Sequence, residues 1–128
     1  MSAGRTAADE GGGSAARPEG LVVLYPKGDL DVLTSPGLRR HLLELLDAGV
    51  PFVVIDMSGV GFLDSAGLSA LVGVHRSLPS GQQIALANVP RRMQRALHIS
   101  AVETLFLVHV EGETWRGPGV LPVGHPSR

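Results

Sequence analysis

The feature that most constrains the fold of this chain is the stretch of residues 56–78, in which a strand pattern gives way to a helix pattern. The apolar run of residues 52–55 predicts a buried strand that ends at Asp56. After a glycine-containing loop, helical spacing places four residues on one face: Leu68, Leu71, Val72 and His75. A strand that leads through a loop into a helix is the unit from which α/β sheets are built.

Asp64 and Ser65 stand at the predicted start of this helix. The side-chain oxygens of Asp and Ser accept hydrogen bonds from the free N–H groups of a first helical turn, so both residue types are favoured there. Ser65 is therefore expected at the helix N-terminus or one step inside it. Because the first-turn N–H groups and the helix dipole attract negative charge, the place also suits an anion such as a phosphate.

The composition indicates one domain with an aliphatic core. The chain has 128 residues, of which 44% are hydrophobic and only 4% aromatic, so Leu, Val, Ile and Ala must fill the core. Both ends are rich in glycine and lack a helical pattern. We predict a flexible tail at residues 1–13, a folded domain at residues 14–111 and an irregular tail at residues 112–128.

The charge and cysteine contents exclude several classes of function. A net charge of −1 argues against a surface built for nucleic acid, and the lack of cysteine excludes disulfides and thiol catalysis. No His, Asp and Glu residues have a metal-ligand spacing, so no metal site is expected. The chain shows no signal-peptide order and no apolar run near the ~20 residues that span a bilayer. We therefore expect a cytoplasmic protein without a membrane span.

The order of elements predicts an α/β fold. Strands are predicted at residues 14–17, 21–25, 52–55, 83–87 and 104–110, and helices begin at Ser35, Ser65 and Pro90. Residues 28–31 and 57–63 are predicted to be loops. Strands joined by helices are usually parallel with right-handed crossovers, and a hairpin at the front adds an antiparallel strand. The predicted architecture is a small, mostly parallel mixed sheet with helices packed against it.

The first helix has clear start and stop signals. Ser35 is predicted to be its N-cap with Pro36 at the first helical position, and Gly49 is suited to end it. Its predicted buried stripe consists of Leu38, Leu42, Leu45 and Leu46.

Three motifs together make the chain resemble the STAS domain. They are Gly-Asp-Leu-Asp at residues 28–31, the strand and loop of residues 54–60 leading into residues 62–68, and the turn of residues 88–90 before a basic helix. The resemblance is closest to the bacterial anti-sigma factor antagonists, which regulate sporulation and general stress responses, and it covers residues 14–110. Two departures are the sequence at residues 100–102, where the family often has a glycine, and a C-terminal tail in place of a final helix.

This resemblance implies a phosphorylation switch at Ser65. In the family, the serine after the aspartate is phosphorylated by a partner serine kinase of the GHKL type, which is also the anti-sigma factor. The family's frequent second hydroxyl is replaced here by Ala66, and the family aspartate that lies beside the phosphorylated serine corresponds to Asp31. The implied partner-binding residues are Asp31, Asp64, Ser65, Ala66 and Gly67.

The family role also implies the chain's partners. The unphosphorylated form should bind the kinase and free a sigma factor, and a PP2C-type phosphatase should reverse the modification. The chain would be a binding switch without catalytic residues or a cofactor of its own, since ATP and Mg²⁺ belong to the kinase. A monomer or weak dimer is expected. The alternative is a STAS scaffold subunit of a signalling assembly, or a soluble partner of a membrane lipid or anion transporter.

Small residues leave one side of the second helix almost bare. Gly67, Ala70 and Gly73 either let the helix pack closely on the sheet or form a low-relief docking face beside Ser65. Gly67 is expected in the exposed first turn, which would favour docking there.

Several other residues have alternative interpretations. A serine hydrolase is disfavoured because its nucleophile elbow needs glycine two residues before the serine, where this chain has Leu63. Asp56 is expected to hydrogen-bond the loop that leads to Ser65 rather than to do chemistry. Trp115 either pins the tail to the domain or marks a contact. The helix after Pro90 carries a basic patch that is either solvated or faces an acidic partner: Arg91, Arg92 and Arg95.

Overall fold

The computed structural model describes residues 13–16, 20–100 and 102–117. Its elements in chain order are β1 (Gly13–Ala16), β2 (Leu21–Tyr25), β3 (Gly28–Leu30), α1 (Ser35–Asp47), β4 (Phe52–Asp56), β5 (Val60–Leu63), α2 (Ser65–Arg76), β6 (Gln83–Val89), α3 (Arg91–Ile99), α4 (Val102–Leu105) and β7 (Leu107–Val110).

The main sheet confirms the predicted architecture. Five strands lie in the order β1-β2-β4-β6-β7. The pairs β2–β4, β4–β6 and β6–β7 are parallel, while β1 pairs with β2 as the antiparallel arm of a hairpin. The parallel pairing follows from the connections, because each pair of parallel strands is joined by a segment that contains at least one helix.

A second, two-stranded sheet was predicted to be loop. β3 and β5 pair in parallel, with Gly28 opposite Val60 and Leu30 opposite Leu63. Both segments are short and contain glycine, so neither shows the alternation by which a strand is recognised. Their pairing depends on a partner about thirty residues away along the chain, and a local pattern cannot indicate such a partner.

The core lies on both faces of the main sheet. Side chains of a strand alternate between its faces. Val53 and Ile55 of β4 therefore join the large cluster that the helices cover, while Val54 joins a smaller cluster on the other face. All three side chains are fully buried. This confirms the prediction that the apolar run of β4 is covered on both faces.

The first helix begins slightly differently from the prediction. Its N-cap is Thr34, which makes no side-chain capping hydrogen bond, and Ser35 is the first helical residue. The Ser35 hydroxyl donates instead to the carbonyl of Asp31. The predicted stripe is correct, since Leu42 and Leu46 are buried and the other two leucines pack against the core. Gly49 follows the helix with a φ of +84°, which suits glycine.

The largest error lies before the last strand. Residues 104–110 were predicted to be one strand, but Val102–Leu105 forms α4 and the strand begins at Leu107. Val102 and Phe106 are buried while Leu105 is partly exposed, and a spacing of four residues on one buried face is helical. Residues 105–108 are all apolar, so the helical spacing could not be distinguished from a buried strand in the sequence.

The remaining boundaries shift by one or two residues. β1 covers Gly13–Ala16 rather than residues 14–17, and residue 17 lies outside the described residues. β6 continues to Val89, and Pro90 becomes the N-cap of α3. Residues 112–117 form neither helix nor strand. The rest of the two predicted tails, residues 1–12 and 118–128, lies outside the described residues.

Candidate functional site at the start of the second long helix

Ser65 is the exposed first residue of α2. Asp64 is the N-cap in an extended conformation, with φ −101° and ψ −172°. Its Oδ1 accepts hydrogen bonds from the backbone N–H groups of Ala66, at 2.8 Å, and Gly67, at 3.1 Å. The predicted start of the helix is therefore confirmed, and Asp64 supplies the cap.

The anion site expected at this helix terminus is largely occupied by the protein itself. The N–H groups of Ala66 and Gly67 already donate to the Asp64 carboxylate. The N–H of Asp64 donates to the Leu30 carbonyl at 3.2 Å. The expectation that free first-turn donors would stabilise an added phosphate is therefore wrong for these three groups, and such a phosphate would lie next to a carboxylate.

The loop that carries Asp31 lies beside the start of α2. Leu30 pairs with Leu63 and its carbonyl accepts from Asp64, so the chain leaves β3 next to the helix N-terminus. Asp31 Oδ1 accepts from the backbone N–H groups of Leu33, at 2.9 Å, and Thr34, at 3.1 Å. These hydrogen bonds lower the pKa of Asp31, because they stabilise the ionised carboxylate.

Gly67 is a packing position rather than an exposed one. It is buried, and a Cβ added there would lie 2.7 Å from the Leu30 carbonyl oxygen and 2.7 Å from Cδ1 of Leu63. The expectation that Gly67 is exposed is therefore wrong, and close packing explains this glycine. At Gly73 a Cβ would meet nothing within 4 Å, so close packing does not explain the second glycine.

Arg92 braces the strand that leads to Ser65. Its Nη2 donates to the carbonyl oxygens of Val60, at 2.9 Å, and Gly61, at 3.2 Å. Sequence reasoning grouped this arginine with its neighbours as a basic patch. No local signal distinguishes Arg92, because the contact joins residues more than thirty positions apart.

A buried polar chain lies at the ends of three strands of the main sheet. Asp56 is 1% exposed, and its carboxylate accepts from the N–H of Ser58, at 2.9 Å, and from Nδ2 of Asn88, at 3.1 Å. The Asn88 N–H donates to Nδ1 of His109 at 3.1 Å. The predicted role of Asp56 in the loop before Ser65 is confirmed, whereas the links to Asn88 and His109 were not predicted.

His109 is fixed in one tautomer by its partners. Nδ1 accepts from Asn88, so Nε2 carries the proton and donates to the Glu113 carbonyl at 2.8 Å. Its ring meets the Trp115 ring edge to face, with centroids 5.8 Å apart, and Trp115 packs against the smaller core cluster. Trp115 therefore pins the segment after β7 to the domain.

Two further histidines also have structural partners. The His75 ring meets Phe106 edge to face at 5.1 Å, and His98 Nδ1 lies 2.5 Å from the Glu103 carboxylate. These contacts give both rings a structural role. Within residues 13–16, 20–100 and 102–117, the structure contains no helix with the length and apolar character required to cross a membrane.

The chain is similar to known proteins along most of its length. The profile of the STAS domain matches residues 14–113. Over 83 residues the chain is 29% identical to an anti-sigma-B factor antagonist of Staphylococcus epidermidis, and the alignment covers 64% of this chain and 77% of that relative.

Solved structures share the fold. The crystal structure of an anti-sigma factor antagonist from Mycobacterium paratuberculosis is similar with a TM-score of 0.68 and 23% identity, over 78% of this chain and 86% of that chain. The Bacillus cell fate determinant SpoIIAA in its phosphorylated form is similar with a TM-score of 0.59 and 19% identity, over 78% of this chain and 92% of that chain. The mixed sheet with its helices matches these neighbours, and the chain belongs to the STAS domain family.

Proposed function

We propose that this chain is an anti-sigma factor antagonist controlled by phosphorylation of Ser65. The unphosphorylated form binds an anti-sigma serine kinase of the GHKL type and thereby frees a sigma factor. Phosphorylation of Ser65 ends this binding, and a PP2C-type phosphatase restores it. Two similarities support the proposal. The S. epidermidis relative is named an anti-sigma-B factor antagonist, and SpoIIAA, which has a similar fold, has a phosphorylated form.

The observation that carries the proposal is the exposed position of Ser65 at the start of α2. Asp64 holds the backbone of the first turn, so the serine is presented by a fixed helix terminus rather than by a loose loop. Ala66 leaves no second hydroxyl at the next position. A kinase that reaches this terminus therefore meets one hydroxyl there.

The charges around Ser65 explain how a phosphate would act as a switch. It adds roughly −1.5 to −2 charges at neutral pH. The neighbouring carboxylate of Asp64 already takes two of the backbone donors, and the Asp31 loop lies beside it. Burying a dianion at such a place against a partner, without a matching cation, costs several kcal/mol. A loss of about 4 kcal/mol lowers the affinity about a thousandfold, without any change of fold.

The first test is phosphorylation in vitro, followed by intact-mass spectrometry. The protein is incubated with ATP, Mg²⁺ and a GHKL-type anti-sigma kinase from the same organism. We expect one added phosphate on the unaltered chain and none on Ser65→Ala. The matched control is Ser69→Ala, which removes an exposed hydroxyl one turn further along the same helix and should leave phosphorylation unchanged.

Three results would contradict the proposal in different ways. Phosphate on Ser65→Ala would move the modification to another residue. Loss of phosphate from Ser69→Ala alone would assign it to that serine. No phosphate on a folded chain from any candidate kinase would favour the scaffold or transporter-partner role over the switch.

A further inference from the structure

Three large apolar side chains are exposed in β5 and in the loop after β3. Val32 is 70% exposed, Leu33 85% and Phe62 58%. Scattered exposed apolar residues are common, but an apolar group beside a candidate modification site is a feature of binding surfaces. The other large hydrophobic side chains that are exposed in the described residues belong to α3, α4 and β7: Ile99, Leu105 and Leu107.

The backbone brings the three residues to the same edge of the domain. Phe62 lies in β5, three positions before Ser65. Val32 and Leu33 follow β3, which pairs with β5 through Leu30 and Leu63. A hydrogen bond from the Asp64 N–H to the Leu30 carbonyl also joins the residue after β5 to the end of β3.

The loop that carries Leu33 is firmly braced. Asp31 Oδ1 accepts from the N–H groups of Leu33 and Thr34, and the Thr34 hydroxyl donates to the Asp29 carbonyl at 2.6 Å. The N–H of Ser35 donates to the Asp31 carbonyl at 2.9 Å. A side chain held outward in this way loses little backbone freedom when a partner binds it, and such preorganisation raises affinity.

Phe62 is held in a comparable way. Arg92 grips the carbonyl groups of the two residues before it, Val60 and Gly61. The guanidinium group of Arg92 is therefore hydrogen-bonded to the β5 backbone next to Phe62. Asp31 and Asp64 border the apolar residues and use their carboxylates to bind backbone N–H groups. The partner surface that fits this edge is therefore an apolar groove.

We propose that Leu33 and Phe62 are the apolar anchors by which the kinase that phosphorylates Ser65 holds the unphosphorylated chain. This inference rests on the function proposed above. It adds the reason why a phosphate on Ser65 is decisive, because the dianion would be enclosed between apolar contacts instead of facing water. In protein interfaces, a small number of residues usually contributes most of the binding free energy. The contacts around such residues exclude water.

The test measures the affinity of the chain for the GHKL-type kinase that adds phosphate to Ser65, with ADP present, by isothermal titration calorimetry. We expect Leu33→Ser and Phe62→Ser each to weaken binding about tenfold or more, and the double variant to weaken it further. The matched controls are Ile99→Ser and Leu105→Ser, which also replace exposed apolar residues and should bind within about twofold of the unaltered chain. Thermal unfolding followed by circular dichroism verifies that every variant is folded.

The outcomes separate this inference from the proposed function. If the unaltered chain is phosphorylated and bound, and Leu33→Ser and Phe62→Ser bind equally well, the anchors are refuted while the switch stands. If Ile99→Ser weakens binding as much as Leu33→Ser, the effect is not specific to the patch and the anchors are also refuted. If no GHKL-type kinase binds or phosphorylates the unaltered chain, the proposed function fails and the anchors fail with it.

Discussion

The surface around Ser65 and the buried polar chain of Asp56, Asn88 and His109 lie at the two ends of the segment that joins β4 to α2, yet they use polar groups in opposite ways. At Ser65, carboxylates bind backbone N–H groups while the serine and the apolar side chains beside it face solvent. At Asp56, the carboxylate is enclosed and satisfied by protein donors. The surface around Ser65 is therefore open to a partner. The polar chain at Asp56 fixes the start of the segment that leads to Ser65. Substitutions should therefore affect partner binding in one region and stability in the other.

The largest effect on stability is expected from Asp56→Ala. It removes the acceptor for the Ser58 N–H and for Nδ2 of Asn88, in a place with almost no solvent access. Both hydrogen bonds are partly buried, and donors left without partners there cost about 1–3 kcal/mol each, so we expect the free energy of unfolding to fall by about 3 kcal/mol. Chemical denaturation measures it.

The control for this substitution is Ser58→Ala. The Ser58 side chain is exposed, whereas the contact with Asp56 uses its backbone N–H. We expect a change within about 0.5 kcal/mol. Equal stability of Asp56→Ala and the unaltered chain would mean that the polar chain does not fix the loop, and the contrast between the two regions would collapse.

Gly67→Ala should give the next largest effect. The new Cβ would lie 2.7 Å from the Leu30 carbonyl oxygen, and a backbone atom cannot rotate away as a side chain can. We expect the free energy of unfolding to fall by about 2 kcal/mol, as in other overpacked sites. Gly73→Ala is the matched control in the same helix, because open space surrounds its position.

For Gly73→Ala the expected change has the opposite sign, a gain of about 0.5–1 kcal/mol from helix propensity. Urea denaturation of both variants tests the pair. If the two substitutions change stability by the same amount, α2 is not packed tightly on β3 at Gly67, and this contact does not make the edge around Ser65 rigid.

A smaller loss is expected from Asp64→Ala. The substitution leaves the N–H groups of Ala66 and Gly67 without the cap that now accepts both. Loss of an N-cap costs typically about 1 kcal/mol, and Asp64→Asn should retain most of the stability because Asn caps nearly as well. Thermal unfolding of the two variants measures this difference. An equal loss in both would indicate that the negative charge of Asp64, rather than its hydrogen bonds, stabilises the helix start.

The parts of the fold that local patterns determine could be predicted, while contacts between distant segments could not. The buried stripe of α1 repeats with the helical period, and the apolar run of β4 is continuous, as expected for a strand covered on both faces, so both were found. Ser65 could be located because Asp64 and the following apolar spacing mark a helix start. β3 and β5 were missed because each forms a strand only against the other.

The same limit applies to the residues that support the site. The Arg92 contact with the Val60 carbonyl and the link from Asn88 to Asp56 each join residues 32 positions apart. The exposure of Gly67 was wrongly predicted because the Leu30 carbonyl that covers it belongs to an unrecognised strand. The error about Gly67 therefore followed from the unpredicted strand pair, whereas the error about free first-turn donors arose at the helix start, where Asp64 binds them.

The smallest expected effect concerns Asp31 and depends on pH. Its pKa is lowered from the ordinary value of 3.8 by hydrogen bonds from the backbone N–H groups of Leu33 and Thr34. A carboxyl group with a lower pKa in the folded than in the unfolded state binds fewer protons when folded. Its contribution to stability is therefore fully present above pH 3.8 and is lost as the pH falls through the lowered pKa.

Comparison with Asp31→Asn isolates this contribution, because the other acidic groups titrate in both proteins. We expect the unaltered chain to be the more stable of the two at pH 7 and at pH 5, and the difference to shrink below about pH 4. Urea denaturation at a series of pH values measures it. A difference that stays constant with pH would mean that the amide and the carboxylate differ in hydrogen-bond geometry alone. The loop that carries Leu33 would then be braced by hydrogen bonds without added strength from the charge of Asp31.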